Sequence, residues 1–206
     1  EFNAVIGEAA ISMRRGAPGG DLVANLVTDA MIAYFNADFS FQNAGGLRAN
    51  IAQGPLTSRD VFSVLPFGNQ LDVVEMDGRM VRRVIERRVS GTSSGLHTAG
   101  ARIVIDAGRP DFDRVCVLEI GGEPWDPDRI YKVVVTDFLM EGNSGLDFLT
   151  TIPADKIMPS GVKTSEAVEA YIRLNTPVRP TIDDRWTEKT GAEQADYLKK
   201  AYLPES

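Results

Sequence analysis

The sequence predicts an α+β fold, with a mixed or antiparallel sheet flanked by helices in a single domain. Segments with helical and strand periodicity are mixed along the chain without strict alternation. In addition, 206 residues with 43% apolar and 25% charged content are sufficient to bury one sizeable core. We place the domain at residues 1–175 and a polar extension packed on it at residues 176–206.

The first half of the chain predicts helices that follow recognisable N-caps. Asp21 precedes a long segment of helical periodicity, and Thr57 or Ser58 precedes a short helix that ends at Pro66. The Asp77-Gly78 turn leads into an arginine-rich helix. In order, the predicted elements are a strand or two in AVIGEAAISM, a helix in DLVANLVTDAMIAYF, a strand in FSFQ, a helix in RDVFSVL, a strand in LDVVEM and a helix in DGRMVRRVIERRVS.

The second half predicts a strand-rich segment closed by a helix. After the loop GTSSG, RIVID and RVCVLEI are joined by the turn-rich AGRPDFD, which is typical of a hairpin. YKVVVTDFL predicts a buried strand that ends at Phe138, and Thr164 begins a helix through SEAVEAYIRL. The polar tail predicts one marginal helix packed by Trp186, Tyr197 and Leu198.

The net charge of the chain limits the kinds of partner that it is expected to bind. A net charge of -7 argues against binding of nucleic acid, because such proteins need surplus cations. Five arginines are nevertheless concentrated in DGRMVRRVIERRVS. They favour the solvated face of an amphipathic helix, and binding of an acidic partner or a neighbouring domain is the alternative. No apolar run is long enough to predict a membrane span, and the start, EFNAVIGEAA, lacks the layout of a secretory signal.

Two scarce residue types exclude several kinds of site. The single cysteine, Cys116, excludes an intrachain disulfide framework and is predicted to be a small buried strand residue. The single histidine, His97, cannot build a two-metal centre, which needs several ligands grouped together. No GxSxG elbow, Cys–His pairing or P-loop pattern is present in the sequence.

The turn NAGGLR is the first candidate binding motif. Gly45 and Gly46 allow backbone angles closed to other residues. Their N–H groups, with Arg48 at the end of the turn, can hold a phosphate or another anion. Many tight turns also carry two glycines, so a purely structural role stays open.

Two phenylalanines are candidates for holding a planar ligand. Phe67 lies between Pro66 and Gly68 in LPFGN, where the ring either faces outward to stack on a ligand or fills the core. Phe138 in TDFLMEGNSGLDF can form a second wall, and Asp147 can accept hydrogen bonds from a sugar diol. The alternative roles are a strand-end core residue and a turn cap.

Taken together and in this order, the motifs resemble the C-terminal domain of the 5′-nucleotidase family. The resemblance covers nearly the whole chain up to about Leu149, plus the helix near AVEAYI. The matching segments are DLVANLVTDAM, NAGGLRANIAQGPLTSRDVFSVLPFGNQLDVVEMDG, GLHTAGARIVID and IGGEPWDPDRIYKVVVTDFL with its glycine turn.

The resemblance implies a parent protein of two domains. In that family an N-terminal metallophosphoesterase domain holds two divalent metal ions, and the C-terminal domain binds the nucleoside or nucleotide. The metal-ligand motifs DxH, GNHD/E and GHxH do not occur in this sequence. The chain is therefore expected to be the substrate-recognition half, without turnover of its own, of a periplasmic, cell-surface or secreted enzyme.

The resemblance also implies roles for individual residues. Phe67 and Phe138 would sandwich the base, Asn43 would hydrogen-bond the base side of the ligand, and Arg48 would face the phosphate. Ser144 aligns with the acidic residue that holds the ribose, and Asp147 fits that role only if the loop is longer. The implied substrate-binding set is Asn43, Gly45, Gly46, Arg48, Phe67, Gly68, Asn69, Phe138, Ser144 and Asp147, with Arg14 or Arg15 near a further family arginine.

Other activities on the same scaffold stay open. A 2′,3′-cyclic nucleotide phosphodiesterase, a UDP-sugar hydrolase, a thiosulfohydrolase and a non-catalytic nucleoside-binding module are the alternatives. The paired phenylalanines favour a substrate with a base over thiosulfate compounds.

Overall fold

The computed structural model describes residues 2–17, 20–91 and 95–188. The helices are α1 (Leu22–Phe35), α2 (Ser58–Val64), α3 (Gly78–Val89), α4 (Asp137–Met140) and α5 (Thr164–Asn175). The strands are β1 (Val5–Ala9), β2 (Phe39–Asn43), β3 (Gly54–Thr57), β4 (Gln70–Asp77), β5 (Leu96–Ala99), β6 (Ala101–Ile105), β7 (Val115–Ile120), β8 (Glu123–Pro124), β9 (Ile130–Thr136), β10 (Ile157–Lys163) and β11 (Trp186–Glu188). Short 3₁₀ turns occupy Ala44–Gly46, Asn143–Gly145, Asp147–Thr151 and Ala154–Lys156.

A mixed five-stranded sheet organises the fold. Its strand order is β10-β4-β9-β2-β5, in which β2 and β9 are parallel and the other neighbours antiparallel. A second sheet has the order β11-β6-β7-β8, and β1 pairs with β3 in a two-stranded ribbon. The predicted α+β class, with a mixed sheet flanked by helices, is confirmed, as is the hairpin of β6 and β7.

The central strand β9 buries both of its faces. Val134 belongs to an apolar cluster with residues of α1 and α5, such as Leu26 and Ile172. Val133 and Val135 belong to a second cluster, which residues of α3 and of the four-stranded sheet complete. Because successive side chains of a strand point to opposite faces, the uninterrupted valine run explains a strand covered on both sides.

The predicted helix starts are confirmed by their caps. Asp21 Oδ1 accepts a hydrogen bond from the Ala24 N–H at 2.7 Å. Thr57 and Asp60 form a reciprocal capping box at the start of α2. Asp77 Oδ1 accepts from the Met80 N–H at 2.7 Å at the start of α3. Since such caps satisfy otherwise unpaired N–H groups, each stabilises its helix by about 1 kcal/mol.

Several elements differ from the sequence expectation. Strands β3, β5 and β10 are not predicted, and β10 contains Pro159 and Gly161. A proline is tolerated in β10 because β10 is the outermost strand of its sheet. The expectation that a strand ends at Phe138 is wrong, since β9 ends at Thr136 and Phe138 lies in α4. Of the predicted tail helix, Trp186 lies in β11, while Tyr197 and Leu198 are outside the described residues.

The arginines of α3 are not simply a solvated face. The apolar side is buried as predicted, but Arg87 Nε donates to the Gly145 carbonyl at 3.0 Å. Arg88 donates to the Leu96 carbonyl, and burial lowers the pKa of its guanidinium to about 10. These two side chains therefore fasten α3 to the loop after α4 and to β5, a role that charge patterning does not reveal.

The described part of the predicted extension packs on the domain through Arg185. Its guanidinium donates to both carboxylate oxygens of Asp29 in α1, at 3.1 and 3.3 Å. It also donates to both oxygens of Asp183, each at 2.7 Å. Burial raises the pKa of Asp29, whereas hydrogen bonds from Arg185 lower the pKa of Asp183. Paired, bidentate contacts of this kind are the strong form of an ion pair.

Cys116 is buried in β7, as predicted. Burial raises the pKa of its thiol. Within residues 2–17, 20–91 and 95–188, no helix is long and apolar enough to span a bilayer.

His97 is buried in β5 beside a carboxylate. Its Nε2 atom lies 3.6 Å from Asp21 Oδ2, and the residue is 3% exposed. Burial lowers the pKa of His97 to about 4, because desolvation outweighs the attraction of Asp21, and Arg88 and Arg15 add repulsion. The folded protein therefore holds this histidine in the neutral form at neutral pH.

Stability should fall as the pH drops below about 6.5, where an unfolded histidine takes up its proton. The contribution of His97 is fully present above that pH and is lost down to a pH of about 4. Between pH 7 and 5 the expected loss in free energy of unfolding is about 2 kcal/mol. Urea unfolding at the two pH values measures it. The variant His97→Gln has no titrating group at this position. If its free energy of unfolding fell by the same amount between pH 7 and 5, the loss could not be assigned to His97.

Candidate functional site

The ends of four strands meet at one edge of the five-stranded sheet. Leu71, near the start of β4, is opposite Thr136, the last residue of β9. Gln70 is opposite Lys163, the last residue of β10. Because β2 runs parallel to β9, its carboxyl end lies at the same edge. Loops that follow or precede these strand ends are therefore neighbours in space.

This edge brings together residues that are distant in sequence. Phe67, Gly68 and Asn69 directly precede β4, Phe138 follows β9, and Asn43 ends β2. Phe67 is 61% exposed and Phe138 is 38% exposed. The alternative in which Phe67 fills the core is thus wrong, and both rings lie at the surface of the same sheet edge.

The Phe67 turn depends on Gly68 and is adjacent to Arg48. Gly68 has a φ of +68°, a conformation that side chains disfavour, and a Cβ there would meet nothing within 4 Å. The guanidinium carbon of Arg48 lies 5.9 Å from the centroid of the Phe67 ring. The backbone N–H of Arg48 donates to the Val64 carbonyl at 2.9 Å, which connects the two loops. A cation and an exposed ring thus stand side by side.

In NAGGLR, Gly46 is needed for close packing, and neither glycine adopts an unusual backbone angle. Neither Gly45 nor Gly46 has a positive φ, so the backbone angles that glycine allows are not used at this turn. A Cβ on Gly46 would instead collide with Nε2 of Gln42 and crowd Oδ1 of Asn43. Gly46 therefore leaves room for the amides of these two nearby residues, which fold back against it.

Two guanidinium groups hold the Ala44–Gly46 turn. Arg48 Nη1 donates to the Gly45 carbonyl, and Arg15 Nη2 donates to the Ala44 carbonyl, each at 3.4 Å. Of the two candidates before α1, Arg15 is thus the one seen at this turn. Both side chains are exposed. Since an arginine stays charged and binds oxyanions in a planar geometry, this end of the edge suits an anionic group.

The loop after α4 is held from two sides. Asn143 Nδ2 donates to the Phe138 carbonyl at 2.7 Å. Gly145 has a φ of +75°, and a Cβ there would collide with the Arg87 guanidinium that binds its carbonyl. Ser144, with a φ of 60°, is half-buried, and Asp147 is exposed at the start of the next 3₁₀ turn. That Ser144 or Asp147 binds the ribose stays a prediction.

Carboxylates lie on the Phe138 side of the edge. Burial raises the pKa of Asp72 in β4, and the nearby Asp137 raises it further. Asp137 Oδ1 accepts from the Phe138 N–H at 2.7 Å. The edge therefore has cations beside Phe67 and acids beside Phe138. Across the part of the chain that the structure describes, no three His, Cys, Asp or Glu side chains group to hold a metal ion.

Comparison with known proteins identifies the family of this chain. The model of the family described as "5′-nucleotidase, C-terminal domain" matches residues 5–151, a range that includes the site ends of β2, β4 and β9. The chain belongs to the 5′-nucleotidase family. It is the C-terminal domain that the match covers, and the predicted family and fold are confirmed.

Relatives of this 5′-nucleotidase C-terminal domain are longer proteins. Bovine (Bos taurus) 5′-nucleotidase is 29% identical over an alignment of 187 residues that covers 78% of this chain and 32% of the relative. Endonuclease YhcR of Bacillus subtilis is 39% identical over 185 residues, 88% of this chain and 15% of the relative. The crystal structure of a 5′-nucleotidase precursor from Thermus thermophilus has a TM-score of 0.81 and 29% identity, covering 91% of this chain and 40% of that one. The chain spans about a third of the 5′-nucleotidases it matches.

Sequence reasoning missed three side chains at the site of this 5′-nucleotidase C-terminal domain. Gln42 and Thr136 line a slot beside Phe67, and Arg87 holds the loop after Phe138. Gln42 lies between the apolar Phe41 and NAGGLR, and an amide at that position was a usable signal. No signal marks Thr136 or Arg87, because their positions depend on strand pairing and on the packing of α3.

Proposed function

We propose that this 5′-nucleotidase C-terminal domain binds the nucleoside part of a nucleotide that the full-length protein hydrolyses as a 5′-nucleotidase. The observation that carries the proposal is the sheet edge. Two exposed phenylalanines, Phe67 and Phe138, lie next to the strand ends at this edge, and the Arg48 guanidinium lies 5.9 Å from the Phe67 ring. Two aromatic faces suit a flat base, and a permanent cation suits the phosphate.

Each end of the edge has its own part in this proposal. Phe67 and Phe138 stack on the two faces of the base, and Asn43 and Asn69 bind its rim. Arg48, with the N–H group of the exposed Gly45, faces the phosphate. Ser144 or Asp147 binds the ribose hydroxyls on the acidic side, where a neutral sugar is tolerated and a phosphate is repelled.

The hydrolytic step belongs, in this proposal, to the rest of the polypeptide. Two divalent metal ions in an N-terminal metallophosphoesterase domain would supply the activated water and the charge that the phosphoryl group needs. The C-terminal domain contributes binding and orientation and has no turnover alone. We place the protein in the periplasm, at the cell surface or outside the cell.

Arg48→Ala should weaken the binding of a nucleotide through its phosphate and leave the binding of the nucleoside part nearly unchanged. We expect AMP to bind about tenfold more weakly, or ~1.4 kcal/mol, because one charge-assisted contact is lost at an exposed site. Adenosine, which has no phosphate, should be affected less than about twofold. Calorimetric titration of both ligands into the 206-residue chain measures this.

Arg173→Ala is the matched control, since it also removes one positive charge but lies on α5 in an exposed pair with Glu169. It should leave both affinities unchanged. Equal losses for AMP and adenosine in Arg48→Ala would contradict the phosphate role. If neither ligand binds the unmodified chain, the proposed function itself is wrong.

A further inference from the structure

A narrow slot opens beside the exposed ring of Phe67. Its walls come from Gln42 on β2, Gly46 of the glycine turn, Thr136 at the end of β9 and Thr164 at the start of α5. The free volume of about 10 Å³ accommodates one water-sized group. The slot thus extends the site inward from the ring, on the side of the sheet that α5 covers.

Two residues that line this slot each have a buried side-chain oxygen without a hydrogen-bond partner among the residues that the structure describes. The two oxygens are Oε1 of Gln42, a residue that is 2% exposed, and Oγ1 of Thr136, which is 1% exposed. A buried polar atom without a partner costs stability. Since their residues line the slot, these two oxygens are candidates for contacts with a ligand group that enters it.

The orientation of the Gln42 amide is fixed by its neighbours. Its Nε2 atom donates to Asn43 Oδ1 at 3.0 Å, which leaves Oε1 on the other side of the amide. Gly46 packs against the same Nε2 atom. Because Asn43 Oδ1 already accepts from Gln42, the donor end of the Asn43 amide is the end left for a ligand. The pair thus offers an acceptor from Gln42 and a donor from Asn43.

We propose that Gln42 and Thr136 form a subsite for an exocyclic amino group of the stacked base. This inference rests on the proposed nucleoside-binding function and specifies its substrate class as amino-bearing bases such as adenine. An amino group has two N–H donors, which match the two oxygens. A keto oxygen at the same place would set its lone pairs against Gln42 Oε1 and leave that oxygen unpaired.

The test compares adenosine with inosine, which has a keto oxygen in place of the amino group. Calorimetric titration of the 206-residue chain should give at least about tenfold tighter binding of adenosine. Gln42→Leu should reduce this preference to less than about threefold, mainly by weakening adenosine. Thr136→Val, which keeps the shape of the side chain, should reduce it in the same direction by a smaller factor. Thermal melting checks that both variants fold.

The outcomes distinguish this inference from the proposed function. Equal binding of adenosine and inosine to the unmodified chain overturns the subsite but leaves nucleoside binding intact. A preference that survives Gln42→Leu overturns it as well. If Gln42→Leu does not fold, Thr136→Val decides, and an unchanged ratio of the two affinities overturns the inference. If neither nucleoside binds, the proposed function fails first.

Discussion

Replacing Phe67 or Phe138 by alanine is expected to weaken adenosine binding about 5- to 150-fold. Stacking of a base on one aromatic ring is worth about 1–3 kcal/mol, and each variant removes one face of the proposed sandwich. The folded state should change little, because the two residues are 61% and 38% exposed and contribute less to the core than buried ones. Calorimetric titration gives the affinities, and thermal melting checks the fold.

Phe112→Ala is the matched control for the two rings. Phe112 is also a surface phenylalanine, 58% exposed, but it lies in the β6–β7 connection away from the four strand ends. Its removal should leave adenosine binding unchanged. If all three variants bind adenosine as tightly as the unmodified chain, the two rings are not the walls of a base site.

Replacing Arg185 by leucine is expected to destabilise the fold by about 3 kcal/mol. The change leaves Asp29 and Asp183 without the cation that neutralises them, and loss of one partner from a buried pair costs about 3–5 kcal/mol. We expect the low end because the Asp29 and Asp183 side chains remain 34% and 38% exposed. The free energy of unfolding in urea at neutral pH measures the loss.

Arg173→Ala serves again as the control, because its ion pair with Glu169 is exposed and is expected to contribute less than about 1 kcal/mol. A further variant separates charge from packing. Asp29→Asn together with Arg185→Leu should cost less than Arg185→Leu alone, since no unpaired carboxylate then remains at position 29 of α1. An Arg185→Leu variant as stable as the control would show that the extension is not anchored by this network.

Much of the fold was predictable because its signals are local. The caps Asp21, Thr57 and Asp77 mark helix starts through side-chain chemistry that acts within three residues. The valine run of β9 marks a strand buried on both faces. Strand β10 was missed because Pro159 and Gly161 weaken its strand pattern. These residues are tolerated because β10 is the outermost strand, and that position is set by strand pairing, which the local sequence does not show.

The residues of the candidate site were predictable from the sequence, but their arrangement in space was not. Phe67, Arg48 and Phe138 were recognisable from their turns and from the family resemblance. That they share one edge follows from the antiparallel pairing of β4 with β9 and the parallel pairing of β2 with β9, which no single segment specifies. The slot lined by Gln42 and Thr136 depends on the same pairings, and so only the folded chain reveals it.

A crystal structure of the 206-residue chain with bound adenosine tests the central claim most directly. The account predicts that the base lies between the rings of Phe67 and Phe138 at the edge where β2, β4, β9 and β10 meet. Density for the nucleoside elsewhere on the domain, with the two rings not in contact with the base, would contradict it.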